Sequence, residues 1–146
     1  MIINHKSVKA MKKTQPRFGQ QEPKYFCAIN PFIDARFSKC PQCNGRTQLR
    51  KFALIIHVDP KGIYPTRINC RWCKPCQIII PHKYDLEELL KTNLAKIAPE
   101  QVDSDFLIIG TLDMKTWKDL STGKADFEIM RKWTSDFLNV IEIGKL

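Results

Sequence analysis

The chain has 146 residues, 43% of them hydrophobic, and a formal net charge of +9. That length holds one domain or two very small ones, and the composition is that of a folded globular protein rather than a disordered or fibrous one. No apolar run approaches the ~18 residues of a membrane helix, and the charged opening MIINHKSVKAMKK lacks the apolar stretch of an export signal, so the expected location is cytoplasmic.

Residues 1–24 are polar, basic and aperiodic, are broken by Pro16, Gly19 and Pro23, and read as a flexible basic arm. Residues 25–37 mix aromatics, basics and prolines and predict an irregular segment that lays Tyr25, Phe26, Phe32 and Phe37 on an apolar surface. After Cys40-Pro41-Gln42-Cys43, the run LRKFALIIHV puts Phe52, Leu54, Ile56 and Val58 on one face at period two and predicts a strand. Asp59-Pro60-Lys61-Gly62 suits a reversal, and IYPTRIN predicts a return strand, at an edge or bulged because Pro65 has no amide hydrogen. Ile78–Ile80 predicts a third strand.

Further on, Asp85 and Glu88 have capping-box spacing and predict a helix start. Leu86, Leu89, Leu90, Leu94 and Ile97 form its apolar face and Pro99 ends it. FLIIGT (106–111) predicts a buried strand, DMKTWKDL a loop or one short helix, and VIEI a last strand. A second helix is predicted over 125–138, with Phe127, Met130, Trp133 and Phe137 on one face.

Five of the six cysteines sit in two short clusters, Cys40/Cys43 and Cys70/Cys73/Cys76. In a reducing compartment such spacing points to metal ligands rather than disulfides. A C-x2-C turn offers two thiolates to a tetrahedral ion and aims backbone amides at the sulfurs. Asn44 and Gly45 suit the positive φ that such a turn demands. The second cluster contains two overlapping C-x2-C pairs, and Pro75 removes an amide in either case. A hairpin centred between Pro60 and Lys61 places Asn44 and Gly45 opposite Gln77 and Cys76, which favours Cys40, Cys43, Cys73 and Cys76 as ligands, with Cys70 as the alternative to Cys76. A mononuclear iron or iron–sulfur site is the competing reading of the thiols. Cys27, alone among aromatics, reads as a buried apolar residue.

The order CPQC, hairpin, CRWCKPC resembles a zinc ribbon over residues 40 to about 80. The continuation through FLIIGTLDMKTW is similar to uncharacterised bacterial proteins that carry such a ribbon before a small α/β segment. That resemblance implies one structural zinc ion and no particular activity. The expected fold is α+β: a zinc ribbon β-hairpin (25–83) joined to a small sheet with two helices (84–146), as one domain.

Charge is uneven: residues 1–50 carry ten Lys/Arg against two acids, 51–100 eight against five, and 101–146 six against eight, or +8, +3 and −2. Such a polarised surface attracts polyanions. Arg46, Arg50, Lys51, Arg67, Arg71 and Lys74 are the candidate nucleic-acid contacts on the ribbon, with Trp72 held at its tip. The alternative partner is an acidic protein that the charged face steers. An enzyme using Asp113, His57 or His82 is the third reading, against which Asp113 reads as a helix cap and both histidines as surface or hydrogen-bonded residues.

Overall fold

The computed structural model describes residues 17–59 and 62–144. Most of the expected arm, residues 1–16, lies outside the described residues, as do Pro60 and Lys61 of the hairpin turn. In chain order the strands are β1 (Phe26–Ile29), β2 (Gln48–Val58), β3 (Gly62–Cys73), β4 (Ile78–Ile80), β5 (Phe106–Leu112), β6 (Ser135–Asp136) and β7 (Asn139–Glu142). The helices are α1 (Lys83–Ile97), α2 (Met114–Ser121) and α3 (Phe127–Trp133). Among the described residues three α-helices stand where the fold expectation has two, because DMKTWKDL takes the short-helix form of its two expected forms.

The seven strands form one mixed sheet in the order β6-β5-β2-β3-β4-β1-β7. β1 runs parallel to β4 and β7, and the other pairs are antiparallel. The two ends of that order, β6 and β7, are one stretch of chain. Between them the Phe137 amide donates to the Ile109 carbonyl (2.9 Å) and the Leu138 amide to Tyr25 (2.8 Å). The sheet therefore curls until one segment joins its two edges.

Curling separates an inside from an outside. The even positions of β2, Phe52, Leu54, Ile56 and Val58, lie inside as the alternation predicts, with Cys27, Cys70, Ile79, Ile108 and Phe137. β3 pairs with β4 only over Arg71–Cys73, so the rest of its length has β2 as its sole strand partner. Pro65 lies there, on the edge its missing amide requires. α1 lays Leu86, Leu90 and Leu94 onto the interior cluster. Leu89 is only half-buried and Ile97 is exposed, so the apolar stripe of α1 is narrower than expected, and Ala98 is the residue that goes inward.

The outside of the barrel is covered in two places. α2 and α3 cover Ala53, Ile55 and Leu112, with Met130 buried beneath them. The 31–47 segment packs Phe32 and Phe37 on Ile78, Ile80, Ala28 and Ile143. The aromatics of residues 25–37 thus pack as expected, although Phe26–Ile29 does so as a strand rather than an irregular run.

Three further boundaries differ from expectation. α1 begins at Lys83, because His82 is its N-cap and accepts a hydrogen bond from the Asp85 amide (3.4 Å); Asp85 belongs to the first turn. α3 stops at Trp133: Thr134 is extended, its hydroxyl donates to the Met130 carbonyl (2.6 Å), and Phe137 enters the core from the strand segment. Residues 17–22 of the expected arm are fastened, since the Phe18 and Gly19 amides donate to the Asp136 carboxylate at 2.8 and 2.7 Å and Gln21 pairs with Ser135.

Candidate metal centre and basic hairpin face

β2 and β3 pair from Gln48 opposite Trp72 to Val58 opposite Gly62. The register centres the hairpin on residue 60, half a residue from the expected centre, and leaves both cysteine pairs at the open end. Cys40 and Cys43 lie just before β2, and the Lys39–Arg46 bridge closes their loop. Cys73 ends β3 and Cys76 lies in the turn to β4.

The sulfurs of Cys40, Cys43, Cys73 and Cys76 all lie within 4.8 Å of one another, and those of Cys43 and Cys73 are 3.6 Å apart. A tetrahedron with metal–sulfur bonds of about 2.3 Å has sulfur–sulfur edges of roughly 3.8 Å. The four thiols are therefore positioned to coordinate one metal ion. Cys70 is not among them. A strand points alternate residues to opposite faces, so Cys70 and Cys73, three apart on β3, cannot converge. Cys70 goes inside with Cys27 while Cys73 goes outside with Cys40.

Local backbone geometry explains the convergence. In the first knuckle the Gln42 amide donates to the Cys40 sulfur and the Gly45 amide to the Cys43 sulfur, both at 3.3 Å. The Asn44 amide donates to the Cys40 carbonyl (2.8 Å) and the Cys40 amide to the Gly45 carbonyl (2.7 Å), which closes the loop. Asn44 has φ 64° and Gln77 has φ 54°. Each directly follows the second cysteine of its pair, so the two knuckles share a left-handed exit. Asn tolerates that region readily and Gln less so. Pro75 stands where the amide toward Cys73 would be, and the Cys76 amide serves that sulfur instead.

The thiols differ in proton affinity. The Gly45 amide, followed by the Cys76 and Cys73 thiols, lowers Cys43 to about 7. Burial raises Cys73 and Cys76. Burial pushes Cys70 up to about 12, and it raises Cys27 as well, with the neighbouring Cys70 adding to the effect. Four thiolates this close need a cation to hold them deprotonated, and metal binding supplies it while releasing protons. Cys27 and Cys70 are neutral, buried apolar groups.

Neither histidine joins the cluster. His57 pairs with Ile63 at the far end of the hairpin, and the ring of His82 caps α1 and bonds the carbonyl of Phe32 (3.0 Å). The Asp113 carboxylate accepts from the amide (2.9 Å) and hydroxyl (2.7 Å) of Thr116, so it is the cap of α2.

The six basic candidates separate by strand parity. Lys51, Arg67 and Arg71 occupy odd positions and face outside, on the side of Cys73 and Ala53. Arg50 is even and stacks on the rings of Trp72 and Phe52 (4.9 and 5.0 Å from the centroids). Trp72 accordingly packs edge-on against Phe52 toward the interior rather than standing at a tip. Arg46 and Lys74 are exposed in the first and second knuckle segments. None of the six forms an ion pair among the described residues.

Sequence reasoning names no partner for Trp117, and the structure supplies one: the Arg67 guanidinium lies 4.6 Å from its ring centroid. Fifty residues separate the two, and no local pattern announces the contact. Among the described residues no helix is long and apolar enough to cross a membrane. Comparison of the chain with protein-family models, curated proteins and solved structures returns no match.

Proposed function

We propose that the chain is a non-catalytic nucleic-acid-binding module in which one zinc ion, held by Cys40, Cys43, Cys73 and Cys76, fixes the open end of a zinc-ribbon-like hairpin. Zinc is favoured over iron because a closed four-thiolate tetrahedron is the usual structural zinc site, and the ion's binding free energy adds directly to folding. The observation that carries the nucleic-acid reading is the outer face of the hairpin, where Lys51, Arg67 and Arg71 share one surface without ion-pair partners among the described residues. Arg46 and Lys74 extend that charge onto the knuckles. Unneutralised cations on a rigid sheet contact phosphates with little ordering cost.

The test is binding of metal-loaded protein to random-sequence oligonucleotides across a salt series. If about four phosphates are contacted, log K should fall against log salt with a slope near −3 on a single strand or −3.6 on a duplex. Absence of binding at low salt would refute the reading.

A protein partner is the second reading, supported by α3, which leaves Phe127, Ile129 and Trp133 exposed on a short helix. Capture of an acidic protein that survives Lys51→Gln and Arg71→Gln but not Trp133→Ala would favour it.

A further inference from the structure

Resting on that nucleic-acid reading, we infer that the ligand is a single strand, laid along the outer face of β3 from α2 to the metal centre, with Arg67 as a base-stacking group. On this face the cross-strand rows run Arg67–Ala53, Asn69–Lys51 and Arg71–Leu49 and end at Cys73. At ~3.3 Å per residue, six steps make a track of about 20 Å, long enough for on the order of four nucleotides.

Two features select unpaired bases over a duplex. Arg67 is exposed while its guanidinium carbon lies 4.6 Å from the Trp117 ring centroid, so the side chain rests against an aromatic ring and still reaches solvent. A guanidinium placed against a ring in this way is a ready platform for a base, and the base must be free of its own stack to use it. Leu49, 58% exposed in the same face beside Arg71, adds an apolar contact that a phosphate backbone would not use and an unpaired base would. Lys51 lies between these two positions in the middle row, and Arg71 stands beside Leu49. The track thus offers stacking or apolar groups at both ends with phosphate-binding charges between and beside them, as a single strand requires. Arg50 has no part in it, since it stacks at the other face of the sheet.

The experiment compares an oligothymidylate and an oligouridylate of about twelve nucleotides with a hairpin duplex of similar length. Each is titrated with zinc-loaded wild type, Arg67→Lys and Arg50→Gln. Arg67→Lys keeps the charge and removes the plane. The expected result is tighter binding of the single strands than of the duplex, with Arg67→Lys weakening single-strand binding about tenfold or more and leaving duplex binding within about twofold. Arg50→Gln should leave single-strand binding within about twofold. Retained metal content in each variant shows that the fold is intact. Duplex binding equal to or tighter than single-strand binding, or an Arg67→Lys variant indistinguishable from wild type on single strands, overturns the inference while the nucleic-acid reading stands. No binding to any of the three probes overturns that reading, and the inference with it. Preference for one of the two single strands shows that the sugar or the thymine methyl is read, and either preference supports the track.

Discussion

Cys70 and Cys73 lie three residues apart on β3, and that odd spacing gives them opposite chemistry. Cys73 joins the thiol cluster, while Cys70 sits inside the barrel, its thiol pushed up to about 12 by burial. As a C-x2-C motif the pair looks as suitable as Cys73/Cys76. What separates them is that β3 runs on to Cys73, so Cys70 is held in a strand and Cys76 in a turn. The hairpin's symmetry leans toward the observed set, and the alternation of a strand would have excluded Cys70 outright. Replacement should separate the roles by metal analysis and denaturant titration. Cys40→Ser should lose the metal and roughly 3 kcal/mol or more of stability, because ligand loss forfeits binding energy that is also folding energy. Cys70→Ala should keep full metal and lose only ~1 kcal/mol of packing. Metal loss in Cys70→Ala would contradict the assignment.

At the scale of elements, the long strand β2 was legible because its alternation is unbroken over Phe52, Leu54, Ile56 and Val58, all buried inside. β5 was legible as an apolar run, but not its bulge. Ile55 pairs with Gly110 and Ile56 with Ile108, leaving Ile109 as an extra residue that keeps Ile108 inside and Leu112 outside. The segment after α3 departs from the predicted helix for a definite reason. Phe127, Met130, Trp133 and Phe137 repeat at helical spacing, yet Thr134 turns the chain extended, so the last of the four belongs to the seam of the barrel. A four-residue strand such as β1 offers too short a pattern to be distinguished from a loop. The seam itself depends on close backbone approach at Gly110. A methyl there would press on the Ser135 carbonyl and come within 2.7 Å of the Asp136 Cα. Gly110→Ala should therefore cost ~2 kcal/mol or more, measured by thermal or denaturant unfolding. A neutral result would mean that β5 and β6 are not clamped together.

At the scale of the whole molecule, closure of the sheet could not be inferred from sequence. It rests on contacts between segments more than a hundred residues apart, such as Leu138 with Tyr25 and Asp136 with Phe18 and Gly19. The same closure divides the basic residues, turning Lys51, Arg67 and Arg71 outward and Arg50 onto the opposite face. Composition reports a positive charge of +9, but only the folded sheet determines which of those charges share a surface. The thiol cluster lies at the open end of the hairpin that carries them, so under the proposed function binding through the outer face should depend on the site being filled. Metal content and cobalt-substituted absorption of wild type, Cys70→Ala and Cys76→Ser decide whether Cys40, Cys43, Cys73 and Cys76 form one metal site. One ion per chain with a tetrahedral thiolate spectrum is expected in wild type and Cys70→Ala, and its loss in Cys76→Ser. Full metal binding in Cys76→Ser with loss in Cys70→Ala, or no stoichiometric metal in wild type, would contradict it.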